Sequence, residues 1–73
     1  MEICKNKKTG QNFIYLYEDE NDRALMITPQ GLVKALDTEL FTDPFEVEKE
    51  DVLLEQGKIN REQYRIYGQY RQG

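Results

Sequence analysis

Five consecutive residues, Phe13-Ile14-Tyr15-Leu16-Tyr17, alternate aromatic with aliphatic side chains. Successive side chains of an extended strand point to opposite faces, which puts Phe13, Tyr15 and Tyr17 on one face and Ile14 and Leu16 on the other. Neither face is polar. Such a strand needs apolar cover on both sides, so it belongs at the centre of a sheet rather than at its edge. A chain of 73 residues offers one domain and one modest core, and the remaining segments must supply both neighbours and cover.

The neighbours follow directly. Thr9-Gly10 is a natural turn before the aromatic strand, and Glu18 to Asp22 is a charged turn after it. Arg23 to Thr28 reads as the next strand. Pro29-Gln30-Gly31 reverses the chain, because proline presets φ and glycine accepts a left-handed backbone. Leu32 to Leu36 returns, which gives an antiparallel meander. Cys4 falls on a further strand at the N-terminus. Thr38 to Phe41 is too short for a helix and reads as a single turn packing Leu40 and Phe41 into the core. Residues 44–48 fit either a helix capped by Asp43 or a short strand with Phe45 and Val47 alternating against Glu46 and Glu48. The strand is preferred, since a continuous helix over 44–56 scatters its apolar residues around the cylinder.

The C-terminal third carries helical punctuation. A short helix over about 49–56 ends at Gly57, the usual residue beyond a helix C-terminus. Asn60 then serves as an N-cap, with Gln63 three residues on to complete a capping box. The second helix runs from Arg61 to about Arg71. Gln63, Tyr64, Ile66, Tyr67 and Tyr70 share one arc of it, and Arg61, Arg65, Gln69 and Gln72 share the other. The expected fold is therefore α+β in a single domain, residues 1–73. A meander of three to four strands fills 1–48, with a small barrel of the Src-homology type as one form of it. A helical hairpin over 49–73 closes it. The expected core is Ile14, Leu16, Leu25, Ile27, Val33, Leu36, Phe41, Phe45, Leu53, Ile59, Ile66 and Tyr67.

The segment LLEQGKINREQYRIY, residues 53–67, resembles the short C-terminal helical hairpin domain of bacterial proteins, the SHOCT type. The residues that carry the likeness are Leu53, Leu54, Gly57, Ile59, Asn60, Glu62 and Tyr64. It departs from that pattern at Asn60, where the family usually has Ser or Thr, and at Tyr64, where it usually has Phe. The resemblance implies an oligomerisation or docking element rather than catalysis.

The chemistry of the chain is limited by what it lacks. It has no histidine, and with it go the usual general base, proton shuttle and commonest metal ligand. Its one cysteine, Cys4, cannot form an internal disulfide and is too few for a structural zinc site. The acidic run Glu18 to Asp22 fails as a calcium loop starting at Asp19, because Ala24 and Gln30 stand where glycine and glutamate are required. The glycines are scattered singly, so no phosphate-cradling loop exists. No catalytic residue, cofactor or metal is expected. The longest apolar runs are far shorter than the about 20 residues of a membrane span, and the polar N-terminus does not read as a signal peptide. With the lone thiol, this points to the cytoplasm.

Two contact surfaces remain. Tyr15 and Tyr17, with Arg61 and Arg65 on the second helix, are candidates for binding another protein or a second copy of the chain. Charge supports this, since residues 37–55 are strongly acidic while residues 56–73 are basic. The alternative is a single-stranded nucleic-acid binder using Lys7, Lys8, Phe13, Tyr15 and Tyr17, with the aromatic rings stacking bases. The net charge of −4 opposes a polyanion. Strand tyrosines also commonly pack beneath a helix with their hydroxyls at the rim. A non-catalytic interaction module or accessory subunit is the expected function.

Overall fold

The structure, a computed structural model, describes residues 1–70. Its strands are β1 (Glu2–Lys5), β2 (Asn12–Glu18), β3 (Arg23–Ile27), β4 (Val33–Asp37) and β5 (Phe45–Glu46). A 3-10 turn occupies Thr38–Leu40, and two helices follow, α1 (Glu50–Glu55) and α2 (Arg61–Tyr70). All strand pairings are antiparallel, in the order β4-β3-β2-β1-β5. The α+β class is as expected, with five strands rather than three or four. Arg71 and Gln72, expected to extend α2, lie outside the described residues.

β2 is central, and both of its faces are covered. Ile14 packs with Met1, Ile3, Ile27, Leu53 and Ile59, so this face meets the helices. Phe13 packs on the other face with Cys4, Ala24, Met26 and Phe41, and its ring meets that of Phe41 edge-on at 4.8 Å between centroids. The cover on this second side comes from the segment joining β4 to β5. Phe41 leaves the 3-10 turn in an extended conformation and pairs with Asn6. Leu40, the last residue of the turn, faces water at 56% exposure and does not join the core. Phe45 is the other correction to the expected core. It pairs with Ile3 on the helix-facing side, but β5 is an edge strand, and the ring is left 55% exposed.

The helices are held by local chemistry. Gly57 sits at φ 72° after α1; its N–H donates to Leu54 O, and that of Lys58 to Leu53 O. This double closure is the Schellman arrangement, which satisfies carbonyls that the helix end leaves open. At the start of α2, Gln63 N–H donates to Asn60 Oδ1 at 2.9 Å, and Asn60 N–H to Gln63 Oε1 at 3.0 Å. The capping box read from the sequence is present. Its amide groups also have N–H donors to spare. Asn60 Nδ2 donates to Pro29 O at 2.6 Å, while Gln63 Nε2 donates to Asn12 O at 3.0 Å and Ile27 O at 3.4 Å. The first turn of α2 is thereby fastened to β2, to β3 and to the turn after β3. From there α2 follows β2 towards its Glu18 end, where Tyr67 and Tyr70 come beside Leu16 and Tyr17.

Candidate interaction surface

The alternation of β2 breaks at one point. Tyr15 is opposite Met26 and Tyr17 is opposite Leu25, so two steps along β2 match a single step along β3. This is a β-bulge, in which one extra residue shifts the phase of the strand. Cross-strand partners share a face, and Met26 and Leu25 are neighbours on opposite faces. Tyr17 therefore lies on the helix side of the sheet, away from Phe13 and Tyr15. Glu18, opposite Ala24, comes back to the Tyr15 side.

The consequence is a groove lined by Leu16, Tyr17, Tyr67 and Tyr70 together with Met1, Glu2, Tyr15 and Glu46. Tyr17 is 59% exposed, and Tyr70 is also exposed, although both are large and aromatic. The groove volume is about 290 Å³. That is the lower limit of small-molecule sites, and it suits one or two side chains better than a cofactor. The Met1 ammonium stands between Glu46 Oε1 at 3.3 Å and Glu50 Oε2 at 3.5 Å.

The residues singled out from the sequence are not brought together. Tyr15 is half-buried against the Phe13 and Phe41 cluster. Burial comes first among the causes that raise its phenol above the ordinary value, followed by the charges of Glu18, Glu2 and Cys4. Arg61 and Arg65 are exposed on the outer arc of α2, and Arg65 pairs with Glu62 one turn away. The nucleic-acid set is divided more severely. Phe13 is 8% exposed and its ring is held by Phe41, so it offers no face to a base. Lys7 and Lys8 are exposed in the β1–β2 hairpin, at the other end of β2 from Tyr17. Tyr17 itself is on the opposite face. No continuous basic and aromatic strip exists along this strand.

Cys4 is 1% exposed, its sulfur 3.7 Å from Met26 Sδ, and burial pushes its thiol up to about 11. A thiol so placed is a core residue and stays protonated at neutral pH. The acidic turn is organised by its own backbone: Asp19 Oδ1 accepts from Asn21 N at 2.9 Å and Arg23 N at 3.3 Å. Among the described residues no group of three or more acidic, cysteine or histidine side chains is placed to hold a metal ion. No described helix is long and apolar enough to cross a membrane. Comparison with protein-family models, with curated proteins and with solved structures finds no match to this chain.

Tyr67 and Tyr70 were legible as part of an apolar helix arc, but their sharing a groove with Tyr17 was not. Its only sequence signal is the excess of aromatics at the end of β2 and on α2.

Proposed function

We propose that this chain is a non-catalytic protein-interaction module, or a small accessory subunit, acting in the cytoplasm through the Tyr17, Tyr67 and Tyr70 groove. The observation that carries the reading is the exposure of Tyr17 and Tyr70 in one groove on a domain with so little apolar material to spare. Tyrosine gives large contact area at low side-chain entropy and is enriched where proteins bind one another. The strand order, with a 3-10 turn carrying the chain from the β4 edge to the β5 edge, supports a sheet curled into a small barrel of the Src-homology type. A barrel of that size leaves its surface as its working part. The resemblance of residues 53–67 to a docking hairpin favours the same class of function.

The test is affinity capture with the tagged chain from its own lysate after nuclease treatment. Wild type is expected to retain a discrete protein set that Tyr17→Ala and Tyr70→Ala lose. Retention of the full set by both variants would remove the groove from the account. An Arg61→Glu, Arg65→Glu variant examines the outer arc of α2 separately.

A further inference from the structure

We propose that the open β4 edge of the sheet pairs with the same edge of a second copy, the two strands running antiparallel about Ala35. No β4 residue lines the tyrosine groove, so the two surfaces are separate. Among the described residues β3 is the only strand beside β4, and their register is unbroken from Val33 to Asp37. Thr28 N–H donates to Leu32 O before β4, and Thr38 N–H to Asp22 O after it. Along an antiparallel pair, residues bonded to the neighbour alternate with residues that are not. Lys34 and Leu36 therefore bond to β3. The N–H groups of Val33, Ala35 and Asp37 and the C=O groups of Val33 and Ala35 point outwards. Such an edge is a template for a further strand, and folds commonly block it. The other edge is blocked, since β5 has two residues and follows Pro44. β4 has five residues, with no proline, glycine or bulge.

The outward pattern is its own complement. With Ala35 opposite Ala35 of the second copy, the two alanines exchange a pair of bonds. Each Asp37 N–H then donates to Val33 O across the junction. Ala35 is exposed, and its small side chain lets two copies of one position lie side by side. The same register sets Lys34 beside Leu36 of the second copy, where its methylene stem covers a half-buried leucine. Neighbouring registers are poorer. A shift towards Leu32 puts Lys34 opposite Lys34, and like charges directly opposed are destabilising. A shift towards Asp37 sets Ala35 opposite Asp37, whose carbonyl as N-cap already accepts the first bond of the 3-10 turn. Two-fold pairing occupies the β4 edge of both copies and stops at a dimer.

The test is sedimentation equilibrium of the full chain over a concentration series, with ¹⁵N spectra at both ends of the series. A junction of one strand pair lies at the small end of interface sizes, so a dimer with a Kd on the order of 100 µM is expected. Dilution should shift the amides of Val33, Ala35 and Asp37 more than those of Lys34 and Leu36. Ala35→Lys and Ala35→Glu each oppose like charges at the axis and should weaken the dimer about fivefold, while their equimolar mixture restores it. Ala35 is exposed, so both variants should keep the wild-type thermal midpoint. A wild-type chain still monomeric at about 1 mM overturns the proposal and leaves the edge to an extended segment of another protein. A dimer that both variants retain also overturns it, and so does a mixture that fails to restore pairing.

Discussion

The side-chain amide of Gln63 is 1% exposed, and its bonds run in three directions. Its oxygen accepts from Asn60 N, and its nitrogen donates to carbonyls of β2 and β3. Replacing Gln63 with Glu keeps the shape and the capping acceptor but turns the donor into a third oxygen facing two carbonyls. The expected loss is about 3 kcal/mol at neutral pH, read as a fall in the urea midpoint. The variant's buried carboxyl would hold its proton more tightly folded than unfolded. Its deficit should therefore shrink as pH drops towards about 4, where the unfolded carboxyl is also protonated. Cys4 gives the opposite end of the pH scale. Its folded value of about 11 lies above the ordinary 9.0, so the fold binds that proton more tightly than the unfolded chain does. The contribution is complete below pH 9.0 and is lost as pH climbs through 11, at up to about 1.4 kcal/mol per pH unit. Cys4→Ala should flatten that alkaline decline, and in the native chain the thiol should resist alkylation until unfolded. The capping role of Gln63 was legible because both partners of the box are local. Its burial was not, since the carbonyls it reaches lie far off in the chain.

Element boundaries depended on a few backbone positions. Gly31 and Gly57 both have positive φ, but for different surroundings. A Cβ at Gly57 would meet open space, whereas one at Gly31 would run into Glu62 Cγ. Gly57→Ala should therefore cost about 1 kcal/mol, the left-handed penalty alone. Gly31→Ala should cost more, and Glu62→Ala in the same chain should recover the difference, since Glu62 is exposed and only its side chain obstructs. Thermal midpoints of the three variants decide this. Asn60→Ala removes both the cap acceptor and the bond to Pro29 O, with an expected loss of about 1–2 kcal/mol. Turns and caps of this kind are readable from sequence because their chemistry spans only a few residues. The bulge at Tyr15 to Tyr17 is different. Nothing within β2 marks it, since it is a mismatch of step count between β2 and β3. Reading β2 alone, with strict period two, placed Tyr17 with Phe13 and produced an aromatic strip that does not exist. The edge position of β5, which exposes Phe45, is hidden for the same reason.

At the scale of the molecule, one sheet divides the apolar residues into two clusters. The helices cover one, and the β4-to-β5 segment with Phe41 covers the other. The radius of gyration of 11.3 Å matches the about 11 Å expected for a folded chain of this length. That division was foreseeable from the two apolar faces of residues 13–17. Its membership was less so, because Met1, Ile3, Cys4 and Met26 sit in short segments with weak periodicity. The functional account stands on the re-phasing of β2, which brings Tyr17 to the helix side and leaves Tyr15 on the other. Nuclear Overhauser contacts across β2 and β3 measure this directly. The expected result is Tyr15 beside Met26, Tyr17 beside Leu25, and no contact from the Tyr17 ring to Phe13 or Met26. A Tyr17 ring in contact with Phe13 and Met26 would restore the unbroken strand and abolish the groove.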